Sequence, residues 1–150
     1  MSHTYSSMFL HCVWSTKRRE PLVTATIKQQ LYAYIGGIVR SEGGSLIAIG
    51  GMPDHVHLLI APPRHVSVSD LMRKIKTSSS KFVHKNYPTM QFFAWQEGYG
   101  VFSVSVSMLD IVRNYVETQE EHHKKGSFAE EFLMMLKKHG IEYDERYLLG

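Results

Sequence analysis

The stretch that decides the fold is GGMPDHVHLLIAPP, residues 50–63, in which a tight turn runs into a mainly apolar segment. The segment before it, SLIAIGG (45–51), is also apolar, so the two predict a pair of strands joined as a β-hairpin. Because side chains alternate along a strand, His55 and His57 lie on one face, about 7 Å apart at their Cα atoms. Leucine or valine would stabilise a core better than imidazole, which makes this strand face a candidate functional site.

The remaining strands and the first two helices follow from hydrophobic periodicity. SMFLHCVWST (7–16) is apolar on both faces and predicts a central strand. Apolar residues at helical spacing predict a first helix within 26–44. A capping-box pattern opens a second helix over 67–87, which stops before a proline. VFSVSVS (101–107) alternates strictly and predicts a half-buried strand.

Two further capping signatures place a third helix at about 108–124 and a fourth at about 127–139. The order is strand, helix, strand, strand, helix, strand, helix, helix. This order predicts an α+β, ferredoxin-like split βαβ fold: an antiparallel sheet with helices on one face, plus a C-terminal helical extension. Neither a linker nor a repeat divides the chain, so residues 1–150 are expected to form a single domain.

Composition excludes several classes of protein. Hydrophobic residues make up 43% and charged residues 21% of the chain, which is typical of a globular protein and not of a disordered or fibrous one. Cys12 is the only cysteine, so an intramolecular disulfide is excluded and a reducing compartment fits best. The N-terminus does not resemble a signal peptide, and no apolar run approaches ~18 residues. We therefore expect a cytoplasmic protein with no membrane contact.

The net charge of +3 hides an asymmetry along the chain. Residues 1–116 contain 12 Lys and Arg against 6 Asp and Glu, whereas residues 117–150 contain 5 against 8. A basic surface attracts polyanions because binding releases condensed counterions. Nucleic acid is thus a natural partner for the basic part, although a merely solvated surface explains the same charge.

Two histidines do not make a metal site, so a further ligand is required. The third predicted helix offers Tyr115 and Gln119, which are four residues apart and share a helical face. Each of these residues alone is also compatible with an ordinary structural role, the tyrosine as partly buried packing and the glutamine facing water. Asp54 either orients the His55 ring or simply forms the turn before the strand.

Together these features resemble a known family. DHVHLL on an internal strand, TKRR closing the first strand, a Ser- and Lys-rich second helix and Tyr-x-x-x-Gln resemble the single-tyrosine transposases of the insertion sequence 200/605 type. These belong to the HUH endonucleases, named for histidine, hydrophobic residue, histidine. The resemblance runs from Met8 to about Gln119, and FAWQEGYGVFSVS and HHKKGSFAEEF resemble a common subgroup. It assigns no role to residues 127–150.

The resemblance implies a function for each candidate residue. Tyr115 would attack a phosphodiester of single-stranded DNA, leaving a 5′-phosphotyrosine link and a free 3′-OH. His55, His57 and Gln119 would hold one divalent cation, Mg²⁺ or, since imidazole suits it better, Mn²⁺. The implied partners are single-stranded DNA with hairpin ends and a second copy of the chain. In that homodimer the tyrosine helix of one subunit would complete the histidine site of the other.

Basic residues in two segments form a plausible track for the DNA backbone. Any one of them is equally well explained as an ordinary solvated charge, but the second-helix set contains no intervening acid. The expected DNA-binding residues are Lys17, Arg18 and Arg19 after the first strand, and Arg73, Lys74, Lys76, Lys81 and Lys85 on the second helix.

Two other functions fit parts of the pattern. A domesticated nuclease of the same class, which binds repetitive chromosomal hairpins, would keep the same site residues. A noncatalytic ferredoxin-like nucleic-acid-binding module would explain the charge and the fold but not the combination of two histidines, Tyr115 and Gln119. Tyr143 and Tyr147 are rival nucleophiles in principle, but the acids between them would repel phosphate and raise a phenol pKa.

Overall fold

Four antiparallel strands form one sheet in the computed structural model, which describes residues 4–122 and 126–147. The strands are β1 (Phe9–Ser15), β2 (Ser45–Met52), β3 (His55–Ala61) and β4 (Gly100–Val104). Their order across the sheet is β2-β3-β1-β4, so β1 and β3 are the central strands. The predicted ferredoxin-like arrangement, including the hairpin of β2 and β3, is confirmed.

The helices α1 (Ala25–Ser41) and α2 (Val68–Asn86) cover one face of the sheet. Their apolar residues pack on the side chains that β1 and β3 direct to that face, among them Trp14 and Leu58, and this forms the main core. The capping box at the start of α2 is present, because the Ser67 side chain accepts a hydrogen bond from the Asp70 backbone N–H. The helices predicted between the strands therefore lie on one face, as expected.

The C-terminal extension covers the opposite face of the sheet. It consists of α3 (Leu109–Glu117), α4 (Gln119–His122) and α5 (Phe128–Lys138). The helix predicted over 108–124 is divided at Thr118, whose φ of −113° and ψ of 35° are not helical, and residues 123–125 lie outside the described part of the chain. The α5 helix corresponds to the one predicted over 127–139. Short 3-10 turns complete the described structure at Lys17–Arg19, Pro88–Met90, Val106–Met108 and Glu145–Tyr147.

Two glycines allow the extension to lie close to the sheet. A Cβ atom at Gly50 on β2 would overlap the backbone carbonyl oxygen of Val116, so α3 rests directly on the strand. A Cβ atom at Gly100 on β4 would lie 2.5 Å from the Phe132 ring of α5. Because Gly50 is paired with His57 on β3, the C-terminal end of α3 lies beside the histidine strand.

No helix in the described ranges has both the length and the apolar composition needed to cross a membrane.

Candidate active site

The histidine pair points to the sheet face that the C-terminal extension covers. His57 lies opposite Val13 of β1, and His55 lies opposite Ser15. Both side chains are completely buried, at 0% exposure. Burial excludes a solvent-facing role for the pair, and a buried imidazole requires partners for its two nitrogens.

His55 is held on both sides of its ring. Its Nδ1 atom lies 2.7 Å from Oδ1 of Asp54, its Nε2 atom lies 3.1 Å from Oε1 of Gln119, and the Phe128 ring stacks on it at 4.4 Å between centroids. The backbone carbonyl of Asp54 also accepts from the Thr16 N–H at 2.9 Å. Asp54 therefore forms the turn and contacts the ring. A proton on Nδ1 of His55 binds the Asp54 carboxylate and leaves a lone pair on Nε2.

His57 contacts a third histidine, which the sequence analysis did not single out. Nε2 of His11 lies 2.7 Å from Nδ1 of His57, and Nε2 of His57 lies 2.6 Å from Oε1 of Glu131. Burial and the neighbouring His57 lower the pKa of His11 to about 3, so His11 is neutral at physiological pH. A neutral His11 can accept a proton on Nδ1 of His57, and Nε2 of His57 then faces the Glu131 carboxylate.

Gln119 is the first residue of α4 and is almost completely buried, at 2% exposure. Its Nε2 atom donates to the backbone carbonyl of Tyr115 at 3.0 Å, so its Oε1 atom is the one that faces His55. The interruption of the helix at Thr118, whose hydroxyl donates to the Asn114 carbonyl at 2.7 Å, lies between the two predicted site residues. Tyr115 and Gln119 nevertheless remain on the same side of the extension.

Tyr115 lies edge-on to two histidine rings, with centroid distances of 5.6 Å to His57 and 6.2 Å to His11. Its hydroxyl donates a hydrogen bond to Glu131 and accepts one from the Gln119 side chain. Burial raises the pKa of the Tyr115 phenol, and the charge and hydrogen bond of Glu131 raise it further, while the contact with Gln119 opposes them. The phenol is therefore protonated at neutral pH in this arrangement.

Glu131 is a site residue that the sequence analysis missed. Burial alone would raise its pKa, but the hydrogen bond and charge of His57, together with the hydrogen bond from Tyr115, lower that pKa to about 2. The carboxylate is thus ionised. A signal was present in the sequence: Glu131 interrupts the apolar face of α5 between Phe128 and Met135, at helical spacing. An acid on a buried helix face requires a partner.

The arrangement contains four donor atoms that suit a divalent cation. Ligand atoms of His55, His57 and Glu131 lie within 4.8 Å of one another, and the Gln119 oxygen is in contact with His55. Nε2 of His55 and Nε2 of His57, the ring nitrogens that would ligate a cation, each lie against an oxygen acceptor. Acceptors in such contact require a proton or a cation between them, so the donor set fits a divalent metal. The predicted set of His55, His57 and Gln119 is brought together, and Glu131 is added to it.

The basic residues predicted to bind DNA are divided between two places. Those on α2 lie across the sheet from the histidine pair, because α2 packs on the other face. Lys76 is engaged within the protein, because its Nζ atom donates to the backbone carbonyls of Gln96 at 2.6 Å and Gly98 at 2.8 Å. Burial lowers the pKa of Lys76 to about 8, and the charge of Glu97 opposes this effect. The structure does not bring this set to the candidate active site.

The other basic side chains differ in how they are engaged. Lys74 pairs with Glu42, and Arg73 lies 3.7 Å from Asp70. Exposed side chains are found at Lys17, Arg18, Arg19, Lys81 and Lys85. The Lys17–Arg19 turn follows Thr16, whose backbone binds Asp54, so this turn is the predicted basic segment that lies beside the histidine strand.

Comparison with known proteins gives a consistent result. The family model described as "Transposase IS200 like" matches residues 4–119. The ISDra2 transposase TnpA of Deinococcus radiodurans is 24% identical over 116 residues, covering 74% of this chain and 83% of that protein. The transposase for insertion sequence element IS200 of Salmonella typhimurium is 23% identical over 131 residues, covering 84% of this chain and 86% of that protein.

Solved structures agree in fold. A crystal structure assigned to a transposase from Deinococcus radiodurans R1 superposes with a TM-score of 0.59 at 26% identity, covering 79% of this chain and 96% of that one. A tyrosine transposase solved with a REP hairpin gives a TM-score of 0.56 at 18% identity, covering 77% and 70%. That second likeness concerns the fold alone. With a family model matched from Thr4 to Gln119, the chain belongs to the IS200-like transposase family.

Proposed function

We propose that this transposase cleaves and rejoins single-stranded DNA through a 5′-phosphotyrosine intermediate, with Tyr115 as the nucleophile. The observation that carries the proposal is the contact of the Tyr115 ring with His57, at 5.6 Å between centroids, in a chain of a transposase family. Residues from β3 and from the segment after β4 meet there, although they are far apart in the sequence. A tyrosine that only faced solvent would have no contact with the histidine pair.

The covalent step is a transfer of one phosphoryl group between two oxygens. The phenolic oxygen of Tyr115 forms a bond to the phosphorus of the scissile phosphodiester, and the bond from phosphorus to the 3′ oxygen breaks. The phenol loses its proton on attack and the 3′ oxygen takes up one proton to leave as a hydroxyl group, so the number of protons is unchanged. The phosphotyrosine keeps the energy of the broken bond, so attack by a 3′-OH on the phosphotyrosine rejoins DNA without ATP.

We further propose that His55, His57, Gln119 and Glu131 hold one divalent cation. When bound, Mg²⁺ or Mn²⁺ supplies a Lewis acid for the scissile phosphate and a positive charge that favours the ionised phenol. Mg²⁺ prefers oxygen ligands, whereas two imidazoles suit Mn²⁺ better. The donor set of two nitrogens and two oxygens supports stronger activity with Mn²⁺.

Glu131 connects the nucleophile to the proposed cation ligands, since it binds both Tyr115 and His57. Its negative charge raises the pKa of Tyr115, so in the resting site the carboxylate holds the phenol in its protonated form. A cation ligated by Glu131 would offset that charge. Ionisation of Tyr115 is therefore coupled to the state of the carboxylate beside it.

The DNA substrate is proposed to be a single strand with hairpin ends. Exposed basic side chains at the Lys17–Arg19 turn support contact with the DNA backbone near His55. Lys81 and Lys85 support a second contact on the opposite face of the sheet. A relative of the same fold was solved with a REP hairpin, which supports hairpin DNA as the ligand and keeps a domesticated hairpin nuclease as the alternative.

The assembly state is a separate proposal. The resemblance implies a homodimer in which Tyr115 of one subunit serves the histidine pair of the other. The contacts of Tyr115 with His57 and His11 of its own chain support assembly of the site within one chain.

The cytoplasmic location remains an expectation from the sequence.

The function is tested by looking for a covalent adduct on a denaturing gel. The substrate is single-stranded DNA that carries the palindromic sequences flanking the gene, and the reaction contains Mn²⁺ or Mg²⁺. We expect an adduct with the wild-type protein and the Tyr143→Phe control, and none with Tyr115→Phe or with EDTA. A noncatalytic binding module would retain DNA in a native gel and form no adduct with any of these proteins.

A further inference from the structure

A groove of about 520 Å³ runs between α3 and α5 and ends at the candidate active site. Tyr115, Glu131 and His11 line its inner end, and β4 forms its floor. Its volume falls within the range of roughly 300–1,000 Å³ typical of small-molecule sites. The groove is therefore large enough to hold part of a substrate directly beside the proposed nucleophile.

The walls of the groove are apolar and partly exposed. Ile111 on the α3 wall is 61% exposed and Met134 on the α5 wall is 69% exposed. Met108 also lines the groove, just before α3. Surface side chains of this size normally occur singly, whereas these face a common cavity. Methionine and isoleucine side chains pack well on flat aromatic rings, and methionine adapts to different ring shapes. The walls suit a planar aromatic group.

The charges in the groove distinguish a base from a phosphate. Glu131 places a carboxylate at the inner end, which disfavours a phosphate in the body of the groove. Lys138 lines the same groove and offers a positive charge for the DNA backbone, and Ser103 and Ser105 offer hydrogen-bonding hydroxyls. A neutral ring between apolar walls, with its phosphate outside, matches this distribution.

We propose that this groove binds the nucleobase next to the scissile phosphate. The inference rests on the proposed function, because a phosphodiester attacked by Tyr115 has its neighbouring nucleotide within reach of the groove. The α5 wall lies beyond the family match at residues 4–119, so the family assignment does not itself supply this wall. Binding of the base does not require a cation, since the walls contain no proposed ligand other than Glu131.

The test measures DNA binding without cleavage. Fluorescence anisotropy with an oligothymidylate of about 12 nucleotides is recorded in EDTA at fixed salt, with Tyr115→Phe as the parent protein. Ile111→Ser and Met134→Ser are each expected to weaken binding about fivefold, because each removes one apolar wall. Ile141→Ser is the matched control, since Ile141 is also exposed, at 41%, but does not line the groove. It should leave the Kd unchanged.

An abasic strand of the same length separates base binding from backbone binding. We expect the parent protein to bind the abasic strand more weakly than oligothymidylate. The Ile111→Ser/Met134→Ser protein should bind the abasic strand with the same Kd as the parent. Equal binding of oligothymidylate to the parent and to this double variant would overturn the inference. So would a change in sedimentation coefficient without a change in DNA affinity, because the groove would then be a contact between copies of the chain.

The proposed function is distinguished from this inference by the adduct assay. If the wild-type protein forms the adduct and the groove variants bind DNA with an unchanged Kd, only the proposal of base binding in the groove is overturned. Base-dependent binding in the groove without any adduct overturns the covalent mechanism and leaves the groove as a binding site.

Discussion

The Nε2 atom of His11 lies 2.7 Å from the Nδ1 atom of His57, and a neutral His11 ring can accept a proton on that nitrogen. This contact fixes which nitrogen of His57 faces Glu131. A contact between the two central strands thus orients His57, a proposed cation ligand, and this contact includes no residue of the C-terminal extension. His11 acts through His57 and is a positioning residue.

Replacing His11 tests this relationship. We expect His11→Phe to weaken Mn²⁺ binding by about 10- to 100-fold in calorimetry, because His57 loses the acceptor that sets its tautomer. His11→Gln supplies a carbonyl acceptor and should lose less. His65→Phe, at an exposed histidine away from the site, is the control. Equal Mn²⁺ affinity of His11→Phe and wild type would show that His57 needs no such partner.

Glu131→Gln removes the negative charge beside the nucleophile and keeps the shape of the side chain. Since that charge raises the pKa of Tyr115, we expect the phenol pKa to fall in the variant, and Mn²⁺ affinity to fall at the same time. Ultraviolet titration in EDTA, with Tyr115→Phe subtracted, measures the first effect. Glu130→Gln, at the exposed neighbouring acid, should change neither quantity. A phenol pKa that rises in Glu131→Gln contradicts the electrostatic account.

Gly50→Ala tests how the tyrosine helix is positioned. The added Cβ would overlap the Val116 carbonyl, so α3 must shift away from β2. We expect a loss of about 1–3 kcal/mol in the free energy of unfolding, as for overpacked sites, together with loss of the DNA adduct. Gly37→Ala in α1 is the control, because a Cβ there meets no atom within 4 Å. It should be neutral or stabilising. Normal adduct formation by Gly50→Ala would show that this close approach is dispensable.

Subunit mixing tests the assembly of the site. Tyr115→Phe and His57→Ala chains are each expected to be inactive, and a mixture should stay inactive if each chain completes its own site. Exchange of tyrosine helices within a homodimer, as the family resemblance implies, would instead create one intact composite site per heterodimer. Regained adduct in the mixture, with heterodimers verified by tagged chains, would therefore contradict assembly within one chain.

Much of the fold was predictable because it depends on local patterns. An apolar segment after a tight turn predicted β3, the alternation of side chains along a strand placed its two histidines on one face, and capping boxes predicted the start of α2 and α5. The break at Thr118 was not predicted, since the sequence around it has the composition of a continuous helix. The order of elements did not indicate that the extension covers the histidine face, because that depends on close contacts such as the one at Gly50.

The candidate site was only partly predictable for the same reason. Tyr115 and Gln119 were identified by helical spacing and by resemblance to a family, and they do lie beside the histidines. His11 was not predicted as a site residue because its role depends on strand pairing, which places it diagonal to His57. Glu131 was not predicted because it lies on a separate helix to which the family resemblance assigned no role. Contacts between distant segments are set by tertiary packing, which periodicity does not encode.

The measurement that tests the central claim most directly is mass spectrometry of the DNA adduct. Wild-type protein is incubated with single-stranded substrate and Mn²⁺, the DNA is digested to a short remnant, and the protein is cleaved with trypsin. We expect the added nucleotide mass on the peptide of residues 114–124, at Tyr115, linked through a 5′-phosphate. A nucleotide mass on a peptide containing Tyr143 or Tyr147, or a 3′-phosphate link, would contradict the account.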